Sequence, residues 1–197
     1  MHRESLAAWQ RIARRIRVPT GFAFVVLYLW LAHPTRKSIL AGSAFVIICL
    51  LVRAVSSGHL NKNQKLATGG PYAYSRNPLY LGSLILALGF AMAALSGGVA
   101  VLLAVIFAAI YMPVIQAEEA FLRTTFPEFA DYTREVPRLI PRLPSHRSGG
   151  GFSWGLYMKH REYNAALGSA ALIAALIAKL LWNLHKASPA IGFNFWH

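Results

Sequence analysis

The sequence predicts an all-α, polytopic integral membrane protein of about five transmembrane helices, built around a helical hairpin with a polar site at its cytoplasmic mouth. Three observations predict it. At 56% hydrophobic residues and a mean hydropathy of +0.44, the 197-residue chain is too apolar for an ordinary soluble domain. Five stretches, 18–33, 38–55, 79–95, 99–117 and 164–182, are nearly free of charge and long enough to cross or nearly cross a hydrocarbon core, where only helices satisfy their own backbone. The charges sort by loop: with the N-terminus inside, sixteen of the twenty Lys and Arg residues fall on the cytoplasmic side, and only Arg36, Lys37 and Lys186 fall opposite.

The net charge of +13 is therefore topological, and a nucleic-acid partner is not expected, because no amphipathic face gathers the basic residues. Membrane lipids are the expected surroundings. The single cysteine, Cys49, lies inside the second stretch, which leaves no disulfide framework, no cysteine metal site and an inert buried thiol.

Along the chain, 5–17 places Leu6, Trp9, Ile12, Ala13 and Ile16 at helical spacing between arginines, which reads either as a helix lying on anionic headgroups or as a solvated basic tail before a span. No small-residue cleavage site precedes His33-Pro34, so the first stretch is expected to stay as a span, paired with the second through Pro34-Thr35-Arg36-Lys37. The polar connection 56–68 shows no metal-ligand spacing, and His59 is expected at the surface. Ser96-Gly97-Gly98 reverses the chain between the third and fourth stretches. The helix after the hairpin is expected to break at Pro127, and a short amphipathic piece follows to Val136. The run 137–144 has a proline every three or four residues and is no regular helix; a lid over a site and a surface linker are its two readings. After a Gly/Ser linker at 145–151, the last stretch carries many Ala, Gly and Ser, which suit close packing against the bundle or against a second copy of the chain. Three parts result: 1–58, the first hairpin with its amphipathic leader; 59–144, the core; and 145–197, the linker and C-terminal helix.

Two polar clusters flank the central hairpin. Gly69-Gly70-Pro71-Tyr72 and Arg76-Asn77 precede the third stretch, Glu118-Glu119 follows the fourth, and a tight hairpin brings them to one side. Ionisable groups at that depth are costly unless they serve a site. Glycines admit a ligand to the backbone, tyrosines offer faces and hydroxyls, an arginine can fork onto a carboxylate and a glutamate can accept from an ammonium. A molecule with a carboxylate, an ammonium, a sulfonium, a ribose and an aromatic base would use all of these, and S-adenosylmethionine is one.

The ordered motifs Leu66-Ala67-Thr68-Gly69-Gly70-Pro71-Tyr72, Arg76-Asn77-Pro78-Leu79-Tyr80-Leu81-Gly82, Glu118-Glu119-Ala120-Phe121-Leu122, Phe126-Pro127-Glu128-Phe129, Tyr132 and Val136-Pro137-Arg138, arranged around a hairpin, resemble the isoprenylcysteine carboxyl methyltransferase family and, more broadly, the phospholipid methyltransferases. The resemblance covers roughly residues 60–142. It implies an S-adenosylmethionine-dependent enzyme that methylates a lipophilic or lipid-modified acceptor, with cofactor contacts from Gln64, Lys65, Leu66, Ala67, Gly70, Tyr72, Asn77, Pro78, Leu79, Tyr80 and Glu118. Arg76 is the expected catalytic arginine, and Glu119 is the expected base where one is needed. Asn77 and Gln64 stand where the family often has histidine; they keep a hydrogen bond but lose a titrating group. Val114 stands where an arginine would meet an acceptor carboxylate, which opens amine, thiol and phenol acceptors. The competing readings are a nicotinamide-dependent membrane reductase, as in sterol reductases with a similar core, and a non-catalytic scaffold.

Overall fold

Thr35 starts the first long helix with a capping box: its hydroxyl accepts from the Ser38 amide at 3.1 Å, and the Ser38 hydroxyl accepts from the Thr35 amide at 2.9 Å. The computed structural model describes residues 24–61, 65–143 and 151–187, and every regular element among them is helical. The amphipathic leader, the 18–23 part of the first stretch, Gln64, most of the Gly/Ser linker and the tail from Ser188 lie outside the described residues. Helix α1 covers 24–31; α2 is Arg36–Gly58, α3 Pro78–Ala94, α4 Gly97–Ile106, α5 Met112–Thr125, α6 Phe129–Glu135, α7 Trp154–Lys159 and α8 Tyr163–Ala187.

Among the described residues, three helices are long and apolar enough to cross a membrane: Arg36–Gly58, the continuous rod Gly97–Thr125, and Tyr163–Lys186. Helix α3 has 17 residues, about 26 Å at helical rise, slightly under the thickness of a hydrocarbon core. The rod contains a π-helical turn at Phe107–Tyr111. Pro113 explains it: proline has no N–H to give the carbonyl of Ala109 four residues back, and the backbone widens there into the π turn. Between α3 and α4, Leu95 takes the left-handed conformation (φ 48°) and the Ser96 hydroxyl accepts from the Val99 amide. Gly97 and Gly98 thus form the first turn of α4, and Leu95-Ser96 makes the reversal.

Close packing of α2 on α3 fixes the hairpin region. A Cβ on Gly42 would lie 2.4 Å from the Gly89 carbonyl oxygen and 2.6 Å from Ala93 Cβ, and one on Gly89 would lie 2.9 Å from the Gly42 oxygen. Such an approach excludes any side chain at the crossing. Ser38 Oγ donates to the Ala93 carbonyl at 3.1 Å, and the buried Tyr28 hydroxyl donates to the Phe90 carbonyl at 2.9 Å, so polar groups in the apolar layer are satisfied. Tyr28, Ile39, Val46, Phe90, Val99 and Leu176 form the core; Cys49 is buried and free.

Helix α8 packs on this core through Leu172, Ile173, Leu176 and Leu180, the first of the two placements open to its small-residue sequence. Its Lys179 does more than snorkel. The ammonium donates to the carbonyls of Leu29, Trp30 (3.3 Å) and Ala32 (2.6 Å), capping the end of α1 where helical carbonyls lack partners. Lys179→Met should therefore lower stability by about 1–3 kcal/mol through loss of these bonds, seen as a reduced Tm in detergent with ligand binding at the far end of the bundle unchanged.

Candidate functional site

At the end of the bundle opposite Lys179, the 59–77 connection folds against the ends of α2 and α3. Gly69 leads into a 3₁₀ turn, Gly70–Ala73, in which Gly70 has φ 59° and a Cβ there would lie 2.5 Å from the His59 ring. Both facts require glycine. His59 itself is half-buried, with its Nδ1 2.8 Å from the Val55 carbonyl. The turn buries Tyr72, whose carbonyl accepts from the Tyr132 hydroxyl of α6 at 2.6 Å.

The described part of the proline-rich run is not a free linker: it is stitched along the 74–77 segment of the loop. The Arg76 amide donates to the Pro137 carbonyl (2.9 Å), the Arg142 amide to the Tyr74 carbonyl (3.0 Å), Ser75 Oγ to the Leu139 carbonyl (3.0 Å) and Asn77 Nδ2 to the Arg138 carbonyl (3.0 Å). Extended backbone without a helix must place its polar groups somewhere, and here it places them on the loop.

This stitching delivers Arg138 to Glu119. The buried Glu119 carboxylate accepts from Arg138 Nε (3.0 Å) and Nη2 (2.8 Å) on one oxygen and from Asn77 Nδ2 (3.1 Å) on the other, with Arg76 Nε 3.6 Å from that second oxygen. Arg76 Nε is buried and has no hydrogen-bond partner. Glu118, one residue and therefore about 100° around the helix from Glu119, turns instead toward Tyr80, whose hydroxyl donates to it at 2.8 Å. Tyr80 meets Tyr111 edge to face at 6.0 Å, and Tyr111 stacks on Phe107 at 5.1 Å across the π turn.

These groups surround a cavity of about 310 Å³, at the lower end of small-molecule sites. Its wall includes Lys65, Leu66, Ala67, Tyr72, Arg76, Asn77, Pro78, Leu79, Tyr80 and Glu118, all singled out in the sequence. Glu119 lies behind that wall, in the ion network. Gly70 lines a separate apolar hollow with Leu51, Val55, Tyr74 and Pro141, and Gln64 is outside the described residues. Val114 is 45% exposed and outside the wall.

Sequence reasoning missed Arg53 and Ser83, which face the cavity from α2 and α3, and the aromatic contributions of Tyr111, Phe121, Phe126 and Tyr132. The last three stand in or beside motifs already quoted; Arg53, a charge at the end of an apolar stretch, was the available signal for the first. Burial pushes the Tyr72 and Tyr132 hydroxyls up, with nearby Glu118 adding to the effect at Tyr72, so both remain protonated donors at neutral pH.

The family model for phospholipid methyltransferases matches residues 17–128. Among curated proteins, the chain is similar to a cobalt-zinc-cadmium resistance protein of Cupriavidus metallidurans, at 40% identity over 69% of this chain and 56% of that protein. It is also similar to a nickel-cobalt-cadmium resistance protein of Alcaligenes xylosoxydans xylosoxydans, at 40% over 44% of this chain and 41% of that protein. A protein-S-isoprenylcysteine O-methyltransferase of Schizosaccharomyces pombe is 35% identical over 43% of this chain and 36% of that enzyme. The matched segment thus spans about half or less of each relative. No solved structure matches.

Proposed function

This chain belongs to the phospholipid methyltransferase family, and on that premise we propose that it is an integral membrane methyltransferase that uses S-adenosylmethionine to methylate a lipophilic acceptor presenting a carboxylate. The observation that carries the reading is the cavity at the mouth of the hairpin, where cationic, carboxylate and aromatic groups converge in one small space. Bound there, the cofactor would supply an activated methyl group. Arg76, with a buried Nε lacking a hydrogen-bond partner, is the group best able to receive a carboxylate. Glu118 and the faces of Tyr80 and Tyr111 suit the positive end of the cofactor, and Tyr72 and Asn77 offer donors.

Two features favour a carboxylate over an amine or thiol acceptor. Glu119, the base expected from sequence, already accepts from Arg138 and Asn77, faces Arg76 and lies behind the cavity wall, so its oxygens are engaged in the ion network and do not face a bound acceptor. We therefore assign Glu119 a positioning role. A carboxylate nucleophile needs no base. The charges agree: Arg53, Lys65, Arg76 and Arg138 exceed Glu118, Glu119 and Glu162 by one. The cofactor adds a second net positive charge that an anionic acceptor offsets.

We place the cavity on the cytoplasmic side and the C-terminus on the opposite side, and we count α3 and the 18–33 stretch as spans, five in all. The basic-residue bias supports this orientation, and so does the gathering of both polar clusters at one end of the bundle.

Incubating the purified protein in lipid nanodiscs with methyl-labelled S-adenosylmethionine and a total lipid extract tests the reading. Label should enter a lipid-phase product and be released as methanol by mild alkali, as a methyl ester requires. Base-stable label would exclude the carboxylate, and absence of both transfer and cofactor binding would exclude the methyltransferase.

A further inference from the structure

Beyond the family-matched residues, the C-terminal part of the chain is tied at two points to the end of α2, from which Arg53 faces the cavity. The Ser153 amide donates to the Gly58 carbonyl at 2.9 Å, and the Phe152 ring covers Gly58 beside the His59 ring, at 6.3 Å between centroids. The second tie is ionic. Arg161 takes a left-handed φ of 55°, an unfavourable conformation for a residue with a Cβ, and turns the chain so that Glu162 reaches back to α2 just before α8 begins.

Glu162 holds Arg53 as a fork: Nε donates to one carboxylate oxygen at 2.9 Å and Nη2 to the other at 3.0 Å. The remaining nitrogen, Nη1, donates to Ser83 Oγ at 2.8 Å and lies 3.4 Å from the Leu79 carbonyl, on either side of Tyr80 in the sequence. The pair is well shielded, at 21% and 13% side-chain exposure, and Arg53 forms part of the cavity wall. Without Glu162 that wall would present an uncompensated guanidinium in a medium that screens it poorly.

We propose that Glu162 is a positioning residue of the cofactor site: by neutralising Arg53 and aligning it on the first turns of α3, it makes the cavity tolerant of a cationic sulfonium ligand. The inference rests on the cofactor reading above. It makes the turn that leads into the C-terminal helix a contributor to the site. It also predicts an effect on ligand charge that a merely structural contact would not produce, because S-adenosylmethionine and S-adenosylhomocysteine differ by one methyl group and one positive charge.

The test is calorimetric titration of full-length wild type and Glu162→Gln in nanodiscs with each of the two ligands. Wild type should bind both. Glu162→Gln should weaken S-adenosylmethionine about three- to ten-fold while S-adenosylhomocysteine affinity changes little. The double variant Arg53→Met/Glu162→Gln, which removes the stranded charge, should restore the wild-type ratio of the two affinities even if both fall. Equal weakening of both ligands by Glu162→Gln, or no weakening of either, overturns the inference and leaves the cofactor reading intact. Wild type that binds neither ligand overturns the cofactor reading and the inference with it.

Discussion

Glu119→Ala is expected to yield a protein with its cavity collapsed and its activity lost. The carboxylate, on α5, joins Arg138 to the adjacent Arg76 and Asn77, so three separate segments of the chain meet at it, and removing it leaves two guanidinium groups facing one another with nothing between them. Breaking a buried ion pair by deleting one partner typically costs about 3–5 kcal/mol, a large share of the stability of a domain this size. Thermal unfolding in nanodiscs should show a large fall in Tm, and S-adenosylmethionine binding should disappear with it. Glu118→Ala provides the contrast: it faces the cavity and bonds Tyr80 alone, so it should leave Tm nearly unchanged while weakening the cofactor. Equal effects of the two substitutions on Tm would refute the division of roles between these neighbours.

Gly42→Leu should be the most disruptive change in the apolar layer. The first carbon of any side chain there meets the Gly89 carbonyl at 2.4 Å and Ala93 at 2.6 Å, and both are fixed by helix backbone. Relief requires α2 and α3 to separate, which would break the Ser38 bond to Ala93 and the packing around Val46 and Phe90. Overpacking typically costs about 1–3 kcal/mol where side chains can yield, and more where only backbone can. Little monodisperse protein should be recovered after detergent extraction. Gly97→Leu, with nothing within 4 Å of its Cβ, should behave as wild type in the same preparation.

The helical architecture was legible because long apolar windows need no partner to be recognised, and a hairpin with a short reversal forces the residues at its two mouths together. That logic located Arg76, Asn77, Tyr80 and Glu118 correctly in one wall. It could not separate Glu118 from Glu119, since only the phase of the helix decides which carboxylate faces the cavity and which faces Arg138. The Arg53–Glu162 pair was out of reach for another reason: its members are 109 positions apart, and no periodicity links them. The proline-rich run was ambiguous because an extended segment without internal hydrogen bonds goes wherever its partners are, and those partners are the backbone and side chains of the loop at 74–77.

The π turn at Phe107–Tyr111 carries a lesson about counting. A π turn takes up one residue more than an α turn, so everything beyond Tyr111 is offset by about 100° from where an uninterrupted α-helix would put it. The more apolar half of the rod and the half that bears the two glutamates therefore keep separate angular registers within one continuous backbone. When related chains are aligned through this helix, the residue count between its apolar half and the glutamates is not the quantity to hold fixed. A single-residue gap near Pro113 belongs there when the turn is α in one chain and π in another, even though no loop interrupts the helix.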